Sequence, residues 1–228
     1  MVPFVMHNTA LEPGATPDRR VRKTRRQLHG ALVELISELP YADVTIDMIT
    51  ERADVARATF YAHFDDKGAL LESVADELIA ELSAELVPRV SAGTKRLRGE
   101  GVITLYSRAA ANRDVYLALL GGAGDGRALH RVYEIFTAGV ADVFVSRFQN
   151  SVAACRVPLP VIVRGWVGAH LSMLTWWLES GSEFTPEQMA LMELQLDVYG
   201  LPWALGLEPD EIEIDEIAVL AADRALGD

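Results

Sequence analysis

The chain has a single cysteine, Cys155, among its 228 residues, so no intrachain disulfide can form. That usage suits a reducing cytoplasm, where a lone cysteine more often serves as a small buried hydrophobe than as a reactive thiol. Long uninterrupted apolar runs are also missing. The most hydrophobic stretch, Val157 to Leu178, is broken by Arg164 and His170, and it reads as a buried or interface helix rather than a membrane span. No alternating strand pattern persists. The five histidines lack metal-ligand spacing, there is no HExxH, and no Ser-His-Asp or Cys-His set can be assembled. The glycines between Gly121 and Gly126 match neither a dinucleotide fingerprint nor a phosphate-binding loop, and no strand precedes them. These absences argue against an enzyme, a resident metal and a cofactor. Met1 to Thr16 lacks the basic start and sustained apolar core of a signal peptide, and it reads as a disordered arm.

Bases are outnumbered overall, giving a formal net charge of −12. An average of that sign opposes nucleic-acid binding, but the distribution does not. Six basic residues and no acid lie between Arg19 and Arg26, whereas acids dominate from Asp65 onward. The pattern is a locally basic head on an acidic body, and such a body resists nonspecific sticking to nucleic acid. Half the residues are hydrophobic and 24% are charged, the balance of a soluble globular protein.

The stretch from Thr45 to Lys67, TIDMITERADVARATFYAHFDDK, organises the rest. Thr45 can cap a short helix whose inner face holds Ile46 and Ile49. That helix breaks near Asp54 and Val55, where Asp tolerates a left-handed turn less well than Gly does. A second helix carries Phe60 and Phe64 inward and Arg57, Thr59, Tyr61 and His63 mostly outward. Two short helices joined in this way form a helix-turn-helix, whose second helix can enter a DNA major groove.

The run resembles the TetR family of transcriptional regulators, with the pattern T-x3-I-x3-A-G-V-S-x-G-T-[LF]-Y-x-[HY]-F-x-x-K-x-x-L. Thr45, Ile49, Ala53, Val55, Thr59, Phe60, Tyr61, His63, Phe64, Lys67 and Leu70 fall on it. Asp54 and Ala58 stand where Gly is usual, and Ala56 stands where Ser is usual. Asp54 places a negative charge near the expected phosphates, Ala56 removes the cap of the second helix, and Ala58 adds a methyl where backbone approaches DNA. The match and the outward face of the second helix imply that Arg57 and Thr59 reach base edges. Thr45, Tyr61, His63 and Lys67 then hold phosphates, with Arg22 and Arg25 of the basic run contributing beside them.

The remaining turn signals favour helices throughout. A first helix should start near Pro17 and bury Leu28, Leu32, Leu35, Ile36 and Leu39 before Pro40. A fourth should run from near Asp66 to Leu86, with Leu71, Val74, Leu78 and Leu82 inward and Pro88 ending it soon after. Val102–Asn112, Val115–Leu120 and Leu129–Phe148 follow, the last with Val132, Tyr133, Phe136, Val140 and Phe144 on its apolar side. Pro160–Glu179 should stop at Gly181, and Thr185-Pro186-Glu187-Gln188 is a capping box opening a helix with Met189, Met192, Leu196 and Tyr199 on its stripe.

The reading is therefore all-α. Residues 1–16 form an arm, 17–65 a three-helix helix-turn-helix DNA-binding domain, and 66–228 a helical regulatory and dimerisation domain. The segment WVGAHLSMLTWWLESGSEFTPEQMA also resembles the C-terminal region of some TetR regulators, in which this helix pair forms the dimer interface. The expected interface residues are Gly168, Ala169, Trp176, Met189, Met192 and Leu196. The family resemblance implies a ligand-sensing body, and Tyr106, Tyr133, Phe136, Trp166, His170 and Met173 are candidates to line a pocket for a small, mainly apolar effector. The whole is expected to be a cytoplasmic homodimer on a palindromic double-stranded operator, a repressor released by its ligand, with no membrane role. The rivals are a regulator of the same architecture controlled by a partner protein or acting as an activator, and a helical interaction protein that no longer binds DNA.

Overall fold

Apolar residues recurring at three- and four-residue spacing set the architecture, and each such run becomes a helix in the computed structural model. It describes residues 19–86, 100–121, 126–147 and 157–204. The helices are α1 (Arg19–Glu38), α2 (Ile46–Arg52), α3 (Arg57–Tyr61), α4 (Lys67–Leu86) and α5 (Glu100–Ala111). They continue with α6 (Arg113–Leu120), α7 (Arg127–Arg147), α8 (Leu159–Ser180) and α9 (Pro186–Ala204). A single 3-10 turn, Tyr41–Asp43, follows Pro40, which cannot extend α1. Every regular element among the described residues is helical. None of these helices is long and apolar enough to cross a membrane. The 1–16 arm, Pro17, Pro88, Cys155 and the acidic segment 208–216 lie outside the described residues.

The chain forms two compact units, one from residues 1–79 and 114–134, the other from 80–113 and 135–228. In the first unit, Leu28, Leu32 and Leu35 of α1 are buried, as are Ile49 of α2, Phe60 of α3, Phe64, and Leu70, Leu71 and Val74 of α4. Burying each such side chain contributes about 1.5–3 kcal/mol. The boundary expected between residues 65 and 66 falls inside this unit. Polar side chains lock α4 to its neighbours: the Arg25 guanidinium donates to Ser73 Oγ at 2.6 Å, and His29 pairs with Glu77. From α7, Arg127 meets Asp66 at 2.6 Å and Arg131 meets Asp76 at 2.7 Å. Partly exposed pairs of this kind add less than about 1 kcal/mol each, so they orient helices that the core holds.

The second unit contains α5, α8 and α9. Tyr106 of α5 sits edge-on to Trp177 of α8 with ring centroids 5.2 Å apart. Gly181 stops α8 with φ 62°, a left-handed geometry that costs glycine nothing. The next turn is closed by Trp177 Nε1 donating to the Phe184 carbonyl at 2.9 Å. The capping box forms in both directions: Thr185 N–H donates to Gln188 Oε1 at 2.9 Å, and Gln188 N–H donates to Thr185 Oγ1 at 3.3 Å. One expectation is corrected in α9. Tyr199 was placed on the inner stripe, yet it is exposed, and the buried edge is Met189, Ala190 and Glu193. Residues 189 and 193 are one turn apart on one side of the helix, and Tyr199 lies round from them. Helical geometry breaks at Gly200, the next residue.

Candidate nucleic-acid interface and a buried polar cluster

In the first unit the helix-turn-helix follows local chemistry closely. Thr45 Oγ1 accepts the Met48 N–H at 3.2 Å and caps α2. Asp54 adopts φ 52°, the left-handed turn position, and is the sole non-glycine residue with positive φ among those described. Ala56 occupies the cap position of α3 and gives no side-chain hydrogen bond, as its methyl requires. Its backbone carbonyl still receives the Thr59 and Phe60 amides, at 2.8 and 3.3 Å.

α3 buries Phe60 and exposes Arg57, Ala58 and Tyr61, with Thr59 half-buried. The Arg57 guanidinium is not loose. It pairs with Asp47 in the first turn of α2 and donates to Tyr61 Oη at 3.3 Å. These partners, Tyr61 first and Asp47 second, hold its pKa above the usual arginine value. Sequence reasoning missed Asp47, although an acid in the first turn of one short helix and an arginine opening the next were both visible. His63 is half-buried with its ring 6.5 Å from that of Phe64. On α1, Arg22 is exposed, while Arg25 lies 4.7 Å over the Phe64 ring besides reaching Ser73.

Lys67 is placed differently from the expectation of a phosphate contact. Its Nζ donates to the carbonyls of Tyr41 at 2.7 Å, Ala42 at 3.4 Å and Val44 at 2.6 Å, and lies 4.2 Å over the Tyr41 ring. An ammonium has three N–H donors, and three carbonyls use them. Burial lowers its pKa, against the opposing charge of Asp43. Lys67 therefore clamps the turn that delivers α2.

In the second unit, three of the expected pocket residues, Tyr106, Trp166 and His170, converge on two acids of α9, Glu193 and Asp197, that the sequence analysis did not single out. His170 Nδ1 donates to the Trp166 carbonyl at 2.9 Å, and the two rings stack at 3.6 Å. His170 Nε2 lies 3.3 Å from Asp197 and 3.6 Å from Glu193. Trp166 Nε1 donates to Asp197 Oδ2 at 2.8 Å. Glu193 and Tyr106 are 0% exposed and His170 4%. Burial disfavours a charged imidazole, but hydrogen bonding to Asp197 and the charges of both acids outweigh it and raise the His170 pKa. Burial raises the Tyr106 phenol and pushes the Glu193 carboxyl up to about 7. Spacing held the signal for Glu193: it is four residues after Met189 and four before Asp197. Phe136 and Met173 are half-buried, and Tyr133 belongs to the first unit. Among the expected interface residues, Ala169 and Trp176 are exposed, Gly168, Met192 and Leu196 are half-buried, and Met189 is enclosed within its own unit.

The chain is similar to known proteins in sequence and in fold. The sequence model for bacterial regulatory proteins, tetR family, matches residues 30–74, and one for a transcriptional regulator C-terminal region matches 100–196. The chain is 28% identical over 184 residues to the uncharacterized HTH-type transcriptional regulator YxbF of Bacillus subtilis (strain 168). That match takes in 79% of this chain but spans 46% of YxbF, about half its length. It is 28% identical over 163 residues to the HTH-type transcriptional regulator BetI of Escherichia coli O45:K1 (strain S88 / ExPEC), covering 65% of this chain and 83% of BetI. The crystal structure of the transcriptional regulator FadR from Bacillus subtilis, in complex with stearoyl-CoA, has the same fold. Its TM-score is 0.61 at 18% identity, over 77% of this chain and 98% of that one.

Proposed function

This chain belongs to the TetR family of bacterial transcriptional regulators, and from that premise we propose that it is a repressor that holds a palindromic operator as a homodimer and releases it on binding a small molecule. The observation that carries the DNA reading is the outward face of α3. Arg57 and Tyr61 stand exposed there, and Asp47 fixes the guanidinium before any DNA arrives. A pre-positioned fork loses less rotamer freedom on reaching a base edge. Arg57 and Thr59 read bases, while Thr45, Tyr61, His63, Arg22 and Arg25 hold phosphates. Arg25 has further N–H groups beyond the one given to Ser73. Lys67 serves the operator through the turn it clamps.

The basic start of α1 supports the same reading. Its first described turn holds arginine and no acid, although cations at a helix N-terminus oppose the macrodipole. Charge placed against the helix's own preference is accounted for by phosphates outside it. The dimer reading draws on the exposed apolar face of the α8–α9 pair. Trp176 is 52% exposed and Leu191 57%, with Val161 and Val198 also open and Ala169 between Val161 and Trp176 on the same side of α8. A two-fold pairing of that face covers it and matches a two-fold operator.

The test is fluorescence anisotropy on duplexes tiled across the DNA beside the gene, at several salt concentrations. Arg22→Ala should weaken every duplex alike and reduce the salt slope by about 1. Arg57→Ala should narrow the gap between the best duplex and the rest. Equal affinities for both variants and the unmutated protein would sink the assignment.

A further inference from the structure

The buried cluster of the second unit has two acids and one base. Neither carboxylate oxygen of Glu193 has a well-formed hydrogen bond among the described residues; the buried Tyr106 phenol is the donor beside it and favours the carboxylate, but less than burial disfavours it. Asp197 is better served, since it accepts from Trp166 Nε1 and lies 3.3 Å from His170 Nε2. A carboxylate taken out of water with one imperfect donor beside it loses more hydration than that donor restores. Among the described residues, the cationic group paired with Glu193 is His170, which stands 3.6 Å away and is shared with Asp197. What the cluster needs is a compact positive charge bearing N–H groups.

The surroundings have the same preference. Trp166 stacks on His170, and Tyr106 packs edge-on to Trp177, so aromatic rings adjoin the acids. Aromatic faces attract cations, and more strongly once water is excluded. An anionic head group at this place would meet Glu193 and Asp197. A quaternary ammonium brings charge but no N–H for the empty lone pairs of Glu193.

We infer that this cluster is a receptor for a protonated primary amine, whose N–H groups satisfy Glu193 and whose apolar remainder lies against the aromatic side chains of α5 and α8. The inference rests on the reading of the second unit as the effector-binding part of the regulator, and it names the effector's chemical class. Glu193 is the counter-ion, Tyr106 Oη a further hydrogen-bond partner, and His170 with Asp197 the neighbouring pair that yields to the incoming charge. Because the Glu193 carboxyl sits at about 7, amine binding tightens as pH rises through neutrality and the carboxylate forms.

The full chain is titrated with methylammonium, n-butylammonium and 2-phenylethylammonium, by calorimetry and by thermal shift. Tetramethylammonium and 2-phenylethanol serve as controls. Affinity for a labelled operator duplex is measured with and without each amine. At least one primary amine should bind saturably, at least tenfold more tightly than either control, and should weaken the operator complex. Glu193→Gln should lose at least tenfold in amine affinity while folding as stably as the unmutated protein, since the amide keeps the shape and removes a buried charge. Tyr106→Phe, which keeps the packing, should weaken the amine a few-fold. No saturable response to the three amines, or equal binding by Glu193→Gln, Tyr106→Phe and the unmutated protein, overturns the site. If operator binding persists in that case, the regulator reading stands without it. Saturable, Glu193-dependent binding in a protein that binds no operator keeps the site and overturns the regulator reading. Amine binding that leaves operator affinity unchanged keeps the site and overturns its effector role.

Discussion

At the scale of single residues, the clearest lesson comes from Lys67. Sequence pattern puts a lysine beside the DNA-binding helix, and charge alone makes it a phosphate ligand. The fold instead gives its three donors to the carbonyls of Tyr41, Ala42 and Val44. Lys67→Met is expected to destabilise the protein by roughly 2 kcal/mol, because the part-buried carbonyls of Tyr41 and Val44 lose a charged donor. Lys67→Arg should not rescue it, since a planar fork cannot address three converging carbonyls. Urea denaturation of both variants checks this, and an unchanged midpoint for Lys67→Met would remove the clamp. Glu193 gives the second prediction. Its folded pKa of about 7 lies above its ordinary value of 4.5, so the native state binds the proton more tightly than the unfolded chain. The stability this contributes is fully present below pH 4.5 and is lost as pH rises through about 7. The raised His170 pKa acts in the same direction. Melting temperature should therefore fall between pH 5 and pH 8 by more in the unmutated protein than in Glu193→Gln, and parallel curves would contradict the assignment. Thr45, Asp54 and Ala56 were legible in sequence because caps and turns are local. Lys67 and Glu193 were not, because their roles depend on what the fold sets opposite them.

At the scale of elements, helix existence and most boundaries could be read from apolar spacing and caps. α4 runs to Leu86, Gly181 ends α8, and Thr185 with Gln188 opens α9 as their side chains dictate. The rotation of α9 could not be read in the same way. An apolar stripe through Met192 and Tyr199 was as plausible by composition as the true edge, which contains an acid. α3 offers the sharpest test at this scale, being five residues long and uncapped by any side chain. Ala56→Ser supplies an oxygen for its free amides and should stabilise the protein by about 1 kcal/mol. Amide hydrogen exchange within α3 should slow in step, and unchanged exchange would show that the cap does not form.

At the scale of the molecule, the first compact unit includes most of α4 together with α6 and the start of α7. Contacts between residues far apart in sequence, such as Arg127 with Asp66 and Glu72, lie beyond local pattern. The dimer is argued from exposed apolar side chains, so Leu191→Arg should yield monomers in sedimentation at micromolar concentration with helical content retained. A monomeric unmutated protein at that concentration would contradict the pairing. The central claim is that α3 reads a two-fold operator. The most direct measurement is a nuclease footprint of the full chain on the DNA flanking its own gene. The account predicts one protected, two-fold symmetric site, lost in Arg57→Ala and Tyr61→Ala at protein concentrations that saturate it for the unmutated chain. A footprint that both variants leave unchanged, or none at low salt, would contradict it.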